Sequence, residues 1–275
     1  VVIARSWVLG LSGALLSLGL HLAQAQAPAP RSEPVGLVTE LNGAGSVAQK
    51  PDGGALEQLH ELMPGAVVTL TAGARAVVVH TPSGIVYELA GPGRYRVQAG
   101  ALEALSGRLA RRELPPAIKA FQLRPLSTMQ ASIVLRGSAQ ARLDGPVGGV
   151  VSADELSYRI RGDVQSPALE LLDGEGQSIA TAREAPAVFN PAQVAALQPG
   201  RQYVVRVSGS DARGKPVELS SRFWLVDADA ATRLRAARPS ENAPLTDLIV
   251  YAMALEVGGA TATAREMWQR INSYR

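Results

Sequence analysis

Between positions 35 and 109 the chain repeats one pattern: short alternating apolar runs, interrupted at near-regular spacing by glycine-containing turns. The run over 35–41 ends at Asn42-Gly43. Residues 44–49 then predict a return strand, and Pro51 to Gly54 the next turn. Met63-Pro64-Gly65 precedes a run over 66–70, Ala72-Gly73 leads into 74–80, and Pro82-Ser83-Gly84 leads into 85–89. Alternation with period two puts every second side chain on one face of a strand. Glycine suits the corners because it takes positive φ without strain. Short strands punctuated in this way predict a compact all-β unit over 35–109.

The stretch "GIVYELAGPGRYRV" (84–97) tests that reading. Gly91, Pro92 and Gly93 fall between two strand-like runs, 85–89 and 94–97, and are read as the corner joining them. A phosphate cradle would need G-x-x-x-x-G-K-[ST], or a strand-to-helix junction. Strand patterns flank this loop on both sides, and Pro92 lacks an N–H to offer a ligand.

The same segment resembles the periplasmic domain of the FecR-like family. Gly36, Val38, Gly43, Val47, Leu62, Gly65, Ala76, Val78, Gly84, Leu89 and Val97 sit at that family's glycine and apolar positions. The resemblance implies a small β-rich module used in envelope signalling or in secreted scaffolds.

Residues 110–142 read as a connector, with Pro115-Pro116 imposing an extended path. A second β segment spans 143–227, with strands expected at 146–151, 156–160, 168–172, 188–190, 203–207 and 221–226; residues 132–136 are a further strand candidate. "ALQPGRQYVVRV" carries Leu197, Pro199, Gly200 and Tyr203 in the order L-x-P-G-x-x-Y. This resembles fibronectin type III and related Ig-like domains. The resemblance implies a β-sandwich in which Tyr203 packs at a corner and bonds backbone through its hydroxyl, with Tyr158 in place of an early-strand tryptophan.

The tail, 228–275, changes period. One helix is expected over 228–238, stopped by Pro239. A second starts at Pro244 and ends at Gly258-Gly259, and Thr261 or Thr263 caps a third. The last two resemble a tetratricopeptide-type hairpin, which on its own needs a neighbour to bury its apolar face. The expected fold is therefore mainly β: a small FecR-like unit, an Ig/fibronectin-type sandwich and a short α-helical tail.

Arg5, the uncharged apolar run over 7–20 and the small residues at Ala23, Ala25 and Ala27 read as a signal peptide, 1–25. A Pro/Ala linker follows over 26–34. The run is shorter than the roughly 20 residues of a membrane span, so a periplasmic, possibly secreted, location is expected, without a transmembrane segment after cleavage. An uncleaved anchor is the alternative. The sequence contains no cysteine, which excludes disulfides, thiol nucleophiles and thiolate metal sites. With 27 Lys and Arg against 24 Asp and Glu, and with the basic residues scattered, nothing points to nucleic acid. The densest basic group, Arg108, Arg111 and Arg112, reads as a solvated edge.

The residues able to carry chemistry are few. His60 and His80 are the only imidazoles after position 25, and both read as surface residues. A zinc site needs three or four ligands. Asp173 with Glu175, and Asp211, lie in Asp/Gly hairpin signals. Asp154-Glu155 reads as solvated, and Arg161-Gly162-Asp163 as a chance tripeptide. Phe223, Trp224 and Tyr203 read as sandwich packing rather than as sugar-stacking platforms. No catalytic, cofactor or metal residue is assigned. The expected function is a non-enzymatic cell-envelope scaffold or binding protein whose partner is an envelope protein or a glycan. A FecR-like signalling regulator with a retained anchor is the second reading, and a cell-wall hydrolase the third.

Overall fold

A computed structural model describes residues 33–50, 53–128, 141–182 and 188–274. The alternating first segment forms one sheet of eight strands: β1 (Gly36–Asn42), β2 (Gly45–Ala48), β3 (Gly54–Ala55), β4 (Glu61–Leu62), β5 (Val67–Leu70), β6 (Arg75–His80), β7 (Ile85–Val97) and β8 (Leu102–Glu113). Their order is β3-β2-β5-β7-β6-β1-β4, with β8 on the other edge of β7. The first half of β7 pairs with β6 and its second half with β5, while β8 follows both halves. The sheet curls around Val38, Leu62, Val68, Val78, Leu89 and Tyr95. β2 is not the expected return strand of β1: it pairs with β5 and β3. Pro51 and Asp52 of the next expected turn lie outside the described residues.

The corner expected at Gly91-Pro92-Gly93 is not a reversal. β7 continues through it as one bulged strand, with the register against β8 shifting between Ala90 and Tyr95. Tyr95 explains how the pairing survives. Its buried hydroxyl accepts the Ala90 N–H (3.2 Å) and donates to the Ala90 carbonyl (2.5 Å), with the Arg108 carbonyl 2.9 Å away. A side chain now fills the gap that the bulge opens in the ladder. A Cβ on Gly93 or on Gly107 would lie 2.5 or 2.6 Å from that hydroxyl, and one on Gly91 would lie 1.9 Å from the Thr71 carbonyl. These glycines are there for close approach.

The second β body contains β9 (Ala141–Asp144), β10 (Gly148–Val150), β11 (Arg159–Gly162), β12 (Gln165–Asp173), β13 (Ser178–Ala182), β14 (Gln202–Ser210) and β15 (Pro216–Leu225). Five strands form a sheet in the order β10-β15-β14-β12-β13, and β9 pairs with β11. Leu143 and Ile160 of the pair pack against the core to which Leu171, Val205 and Phe223 of the sheet belong, a sandwich-like arrangement. β9 straddles the expected boundary, starting at the last two connector residues and ending in the sandwich segment. The run expected at 156–160 becomes strand only from Arg159, and that at 188–190 supplies an isolated bridge, Phe189 to Tyr158. The candidate strand at 132–136 lies outside the described residues.

Helices α1 (Pro116–Lys119), α2 (Ala228–Ala236), α3 (Leu245–Val257) and α4 (Thr261–Ser273) complete the fold. The Pro115-Pro116 pair does not extend the chain throughout. Pro116 stands in the first turn of α1, where its missing N–H costs nothing. The expected ends of α3 hold, with Pro244 before it and Gly258 after it. From Leu248 to Leu255 every residue of α3 is buried, as in a helix enclosed on all sides. Its surroundings come from everywhere: Leu37, Val79 and Val86 of the first sheet, Val151 and Val226 of the second body, and Ile118, Phe121 and Leu234. The two β bodies therefore meet in a common core built around α3.

Neither Thr261 nor Thr263 caps α4. Its N-cap is Ala260, with no side-chain cap bond. The Thr261 hydroxyl instead accepts the Gly149 N–H (3.1 Å), and the Thr263 hydroxyl donates to Glu155. Gly149 permits this docking, because a Cβ there would lie 1.9 Å from the Gly259 carbonyl.

Replacing Tyr95 by Phe keeps the ring and removes the bridge, leaving the Ala90 N–H and two carbonyls without it. A loss of about 1–3 kcal/mol in unfolding free energy is expected by urea titration. An unchanged midpoint would show that the hydroxyl does not hold the bulge.

Candidate functional site

The register of the first sheet writes out a charged surface. Asn42, Arg75, Ala90 and Arg108 form one row across β1, β6, β7 and β8; Glu40, Val77, Glu88 and Ala110 form the next; Leu37, Val79, Val86 and Arg112 form a third. The third row lies against the helices, and Val79 and Val86 are buried there. The first two rows remain open, walled by Pro244, Leu245 and Thr246 at the start of α3, and enclose a groove of about 710 Å³. Arg75 and Arg108 flank Ala90 across two strand spacings, about 10 Å. Both are exposed, and neither has an ion-pair partner among the described residues.

The wall of the groove is fixed by polar contacts that join distant parts of the chain. Glu40 accepts the Thr246 N–H (2.9 Å) and the Thr246 hydroxyl (2.6 Å), serving α3 as the cap that Pro244 cannot be. Thr39 and Thr246 share a buried hydroxyl contact of 2.8 Å. Arg112 pairs with Asp247 at 2.5 Å. Sequence reasoning did not single out Glu40, Thr246 or Asp247. They lie up to 207 positions from their partners, and no local pattern carries such a pairing.

Of the two histidines read as surface residues, His80 departs from that role. His80 is buried. Its Nε2 donates to the Gln98 carbonyl (3.0 Å), and its Nδ1 lies 2.8 Å from the Ser83 hydroxyl and accepts the Ser83 N–H (3.3 Å). One neutral tautomer satisfies all three contacts and ties the end of β6 to the β7–β8 turn. Burial holds its pKa below the usual imidazole value, and the Gln98 contact offsets part of that. His60 is half-buried, with Nε2 3.1 Å from Gln49 Nε2.

The carboxylates are also structural. Asp173 Oδ1 accepts from Glu175 and Gln177 N–H groups, and Asp211 Oδ1 from Arg213 and Lys215 N–H groups, so each closes its hairpin. Asp154 is exposed, but Glu155 is not simply solvated: it takes the Thr263 hydroxyl and fastens α4 to the sandwich. Within the RGD tripeptide, Arg161 is bound to Asp144 of β9 at 3.0 Å. Tyr203 and Phe223 are buried and stacked, with centroids 5.5 Å apart. The Tyr203 hydroxyl accepts the Gln198 N–H at 2.9 Å. Tyr158 is buried, and its hydroxyl donates to the Pro146 carbonyl. Trp224 is half-buried beside Gly149.

No family model, curated protein or solved structure matches the chain.

The His80 environment predicts a pH dependence. Below about pH 6.5 the unfolded chain takes up a proton that the folded imidazole resists, so unfolding becomes easier as pH falls through that value toward the lower folded pKa. Urea unfolding at pH 7.5 and 5.5 should show a larger loss for the natural protein than for His80→Gln. Equal losses would remove His80 as the cause.

Proposed function

We propose that this chain is a non-enzymatic scaffold or binding protein of the cell envelope, exported through its N-terminal segment and acting through protein contacts. One observation carries the reading. Arg75 and Arg108 stand exposed on an open sheet face, without an ion pair among the described residues, whereas His80, Glu155 and the hairpin residues Asp173 and Asp211 are committed to the fold. Exposed cations held on a rigid sheet can recognise a partner. The common core around α3 supports the scaffold role, because it holds two β bodies in one assembly.

The domain readings belong to the same proposal. The Tyr203-to-Gln198 bond, five residues back, supports the fibronectin-type reading, which implies a tyrosine hydroxyl bonded to backbone at a corner. The curled sheet of the first segment, with glycine turns at Gly43, Gly65, Gly73 and Gly84, supports a FecR-like module.

A photo-crosslinking residue at Ala110, on the groove floor, tests the function in cells. Discrete protein adducts are expected from Ala110 and not from the same probe at Ser208 on the sandwich. Absence of adducts at Ala110, or purified chain that turns over wall material, would overturn the reading. Recovery of full-length chain with residues 1–25 in the membrane fraction would favour the anchored regulator.

A further inference from the structure

We propose that the open edge of β8 accepts an extended acidic peptide as an added strand, with two carboxylates three residues apart meeting Arg108 and Arg111. The inference rests on the protein-contact reading above and names the surface and the chemistry of the partner.

The backbone comes first. From Arg108 to Glu113, β8 pairs with β7 in unbroken register. The Arg108 carbonyl reaches the Tyr95 hydroxyl on the β7 side, and the Leu114 N–H bonds the Gly84 carbonyl on the same side. In an antiparallel strand, alternate residues direct both N–H and C=O to opposite edges. Arg108, Ala110 and Arg112 therefore face β7. Leu109, Arg111 and Glu113 face the other edge, where no strand pairs among the described residues. The other sheet edges are shorter: β3 and β4 have two residues each, β10 three and β13 five. A row of unpaired backbone groups of this kind is a template for another chain.

Charge then selects the chain. Arg112 is held by Asp247, and Lys119 neutralises Glu113 at 2.6 Å. Arg108 and Arg111 are exposed and without an ion pair among the described residues. They point to opposite faces, because their positions differ by an odd number. In an added strand, the residues opposite them are likewise three apart and on opposite faces. Like charges facing each other across strands repel and opposite charges attract, so this edge rejects a basic strand and disfavours a second copy of itself. It favours an acid-x-x-acid segment. A sugar polyanion could meet the arginines but could not continue the ladder.

Arg111→Pro gives a sharp test. It removes an outward N–H at an edge position where proline is tolerated, and Arg111→Ala removes only the charge. Probes are an extended decapeptide of β-branched residues with Glu at i and i+3, its isomer with Glu at i and i+2, the Lys counterpart, and heparin. The readouts are fluorescence anisotropy and amide exchange of the full protein. The i, i+3 peptide should bind about threefold tighter than its isomer. It should weaken about tenfold in Arg108→Glu and be lost in Arg111→Pro but retained, more weakly, in Arg111→Ala. Bound peptide should slow exchange at Leu109, Arg111 and Glu113, while Ala110 and Arg112 are already slow. Absence of peptide binding overturns the proposal, as does binding unaffected by Arg111→Pro or matched by heparin. Ala110 adducts that persist in Arg111→Pro would leave the protein-contact reading standing while this surface falls.

Discussion

Burial of α3 is the constraint on which the rest depends. A helix apolar on all sides has no stable place on a surface, so it must be enclosed before it contributes. Neither β body encloses it alone: Leu37, Val79 and Val86 cover it from one, Val151 and Val226 from the other, and α1, α2 and α4 close the remainder. Removing one side would expose an apolar face of the helix to water. The sandwich and the first sheet are thus coupled through a shared hydrophobic surface rather than through a linker. The polar contacts at its ends, Glu40 with Thr246 and Glu155 with Thr263, are directional and fix the angle at which the helices meet each body.

Both β bodies solve a local problem with the same device. A strand that bends or ends leaves backbone groups without ladder partners, and buried unpaired groups are costly. Tyr95 and Tyr203 each return a hydroxyl to the backbone five residues earlier, at Ala90 and at Gln198. Each ring fills its own core while its tip serves a break in regular pairing. Only Tyr203 stands in a recognisable motif. Tyr95 follows a Gly-Pro-Gly that looks like a turn from sequence, because the feature that makes it a bulge is a tyrosine folding back against the strand.

What could be read from the sequence divides along the same line. Glycine turns at Gly43, Gly65, Gly73 and Gly84, hairpins at Asp173 and Asp211, and the limits of α3 all follow from neighbours within a few residues, and they hold. Pairings across long separations do not follow. Thr261 and Thr263 have the form of helix caps, yet contacts to Gly149 and Glu155, more than a hundred positions away, take their hydroxyls. His80 looks exposed at a strand end because the Gln98 carbonyl that buries it belongs to a later turn. The groove was illegible for this reason. Arg75 and Arg108 become neighbours only through the register of β6, β7 and β8.

The arginines of β8 illustrate how one sequence element can meet two demands. Positive charge on a long edge protects it against pairing with its own kind, a common defence of exposed strands. The same charge lowers the barrier to a partner of opposite sign, so protection and selectivity come from a single cluster. Geometry determines which residues do which. Arg112, on the face toward α3, is tied to Asp247 and anchors the edge to the common core. Arg108 lies on that same face one turn of the alternation beyond the anchor's neighbour, and Arg111 on the other, both free of ion pairs among the described residues. Because the edge is already ordered by β7 and by that anchor, the ordering cost of adding a strand would fall on the incoming peptide alone.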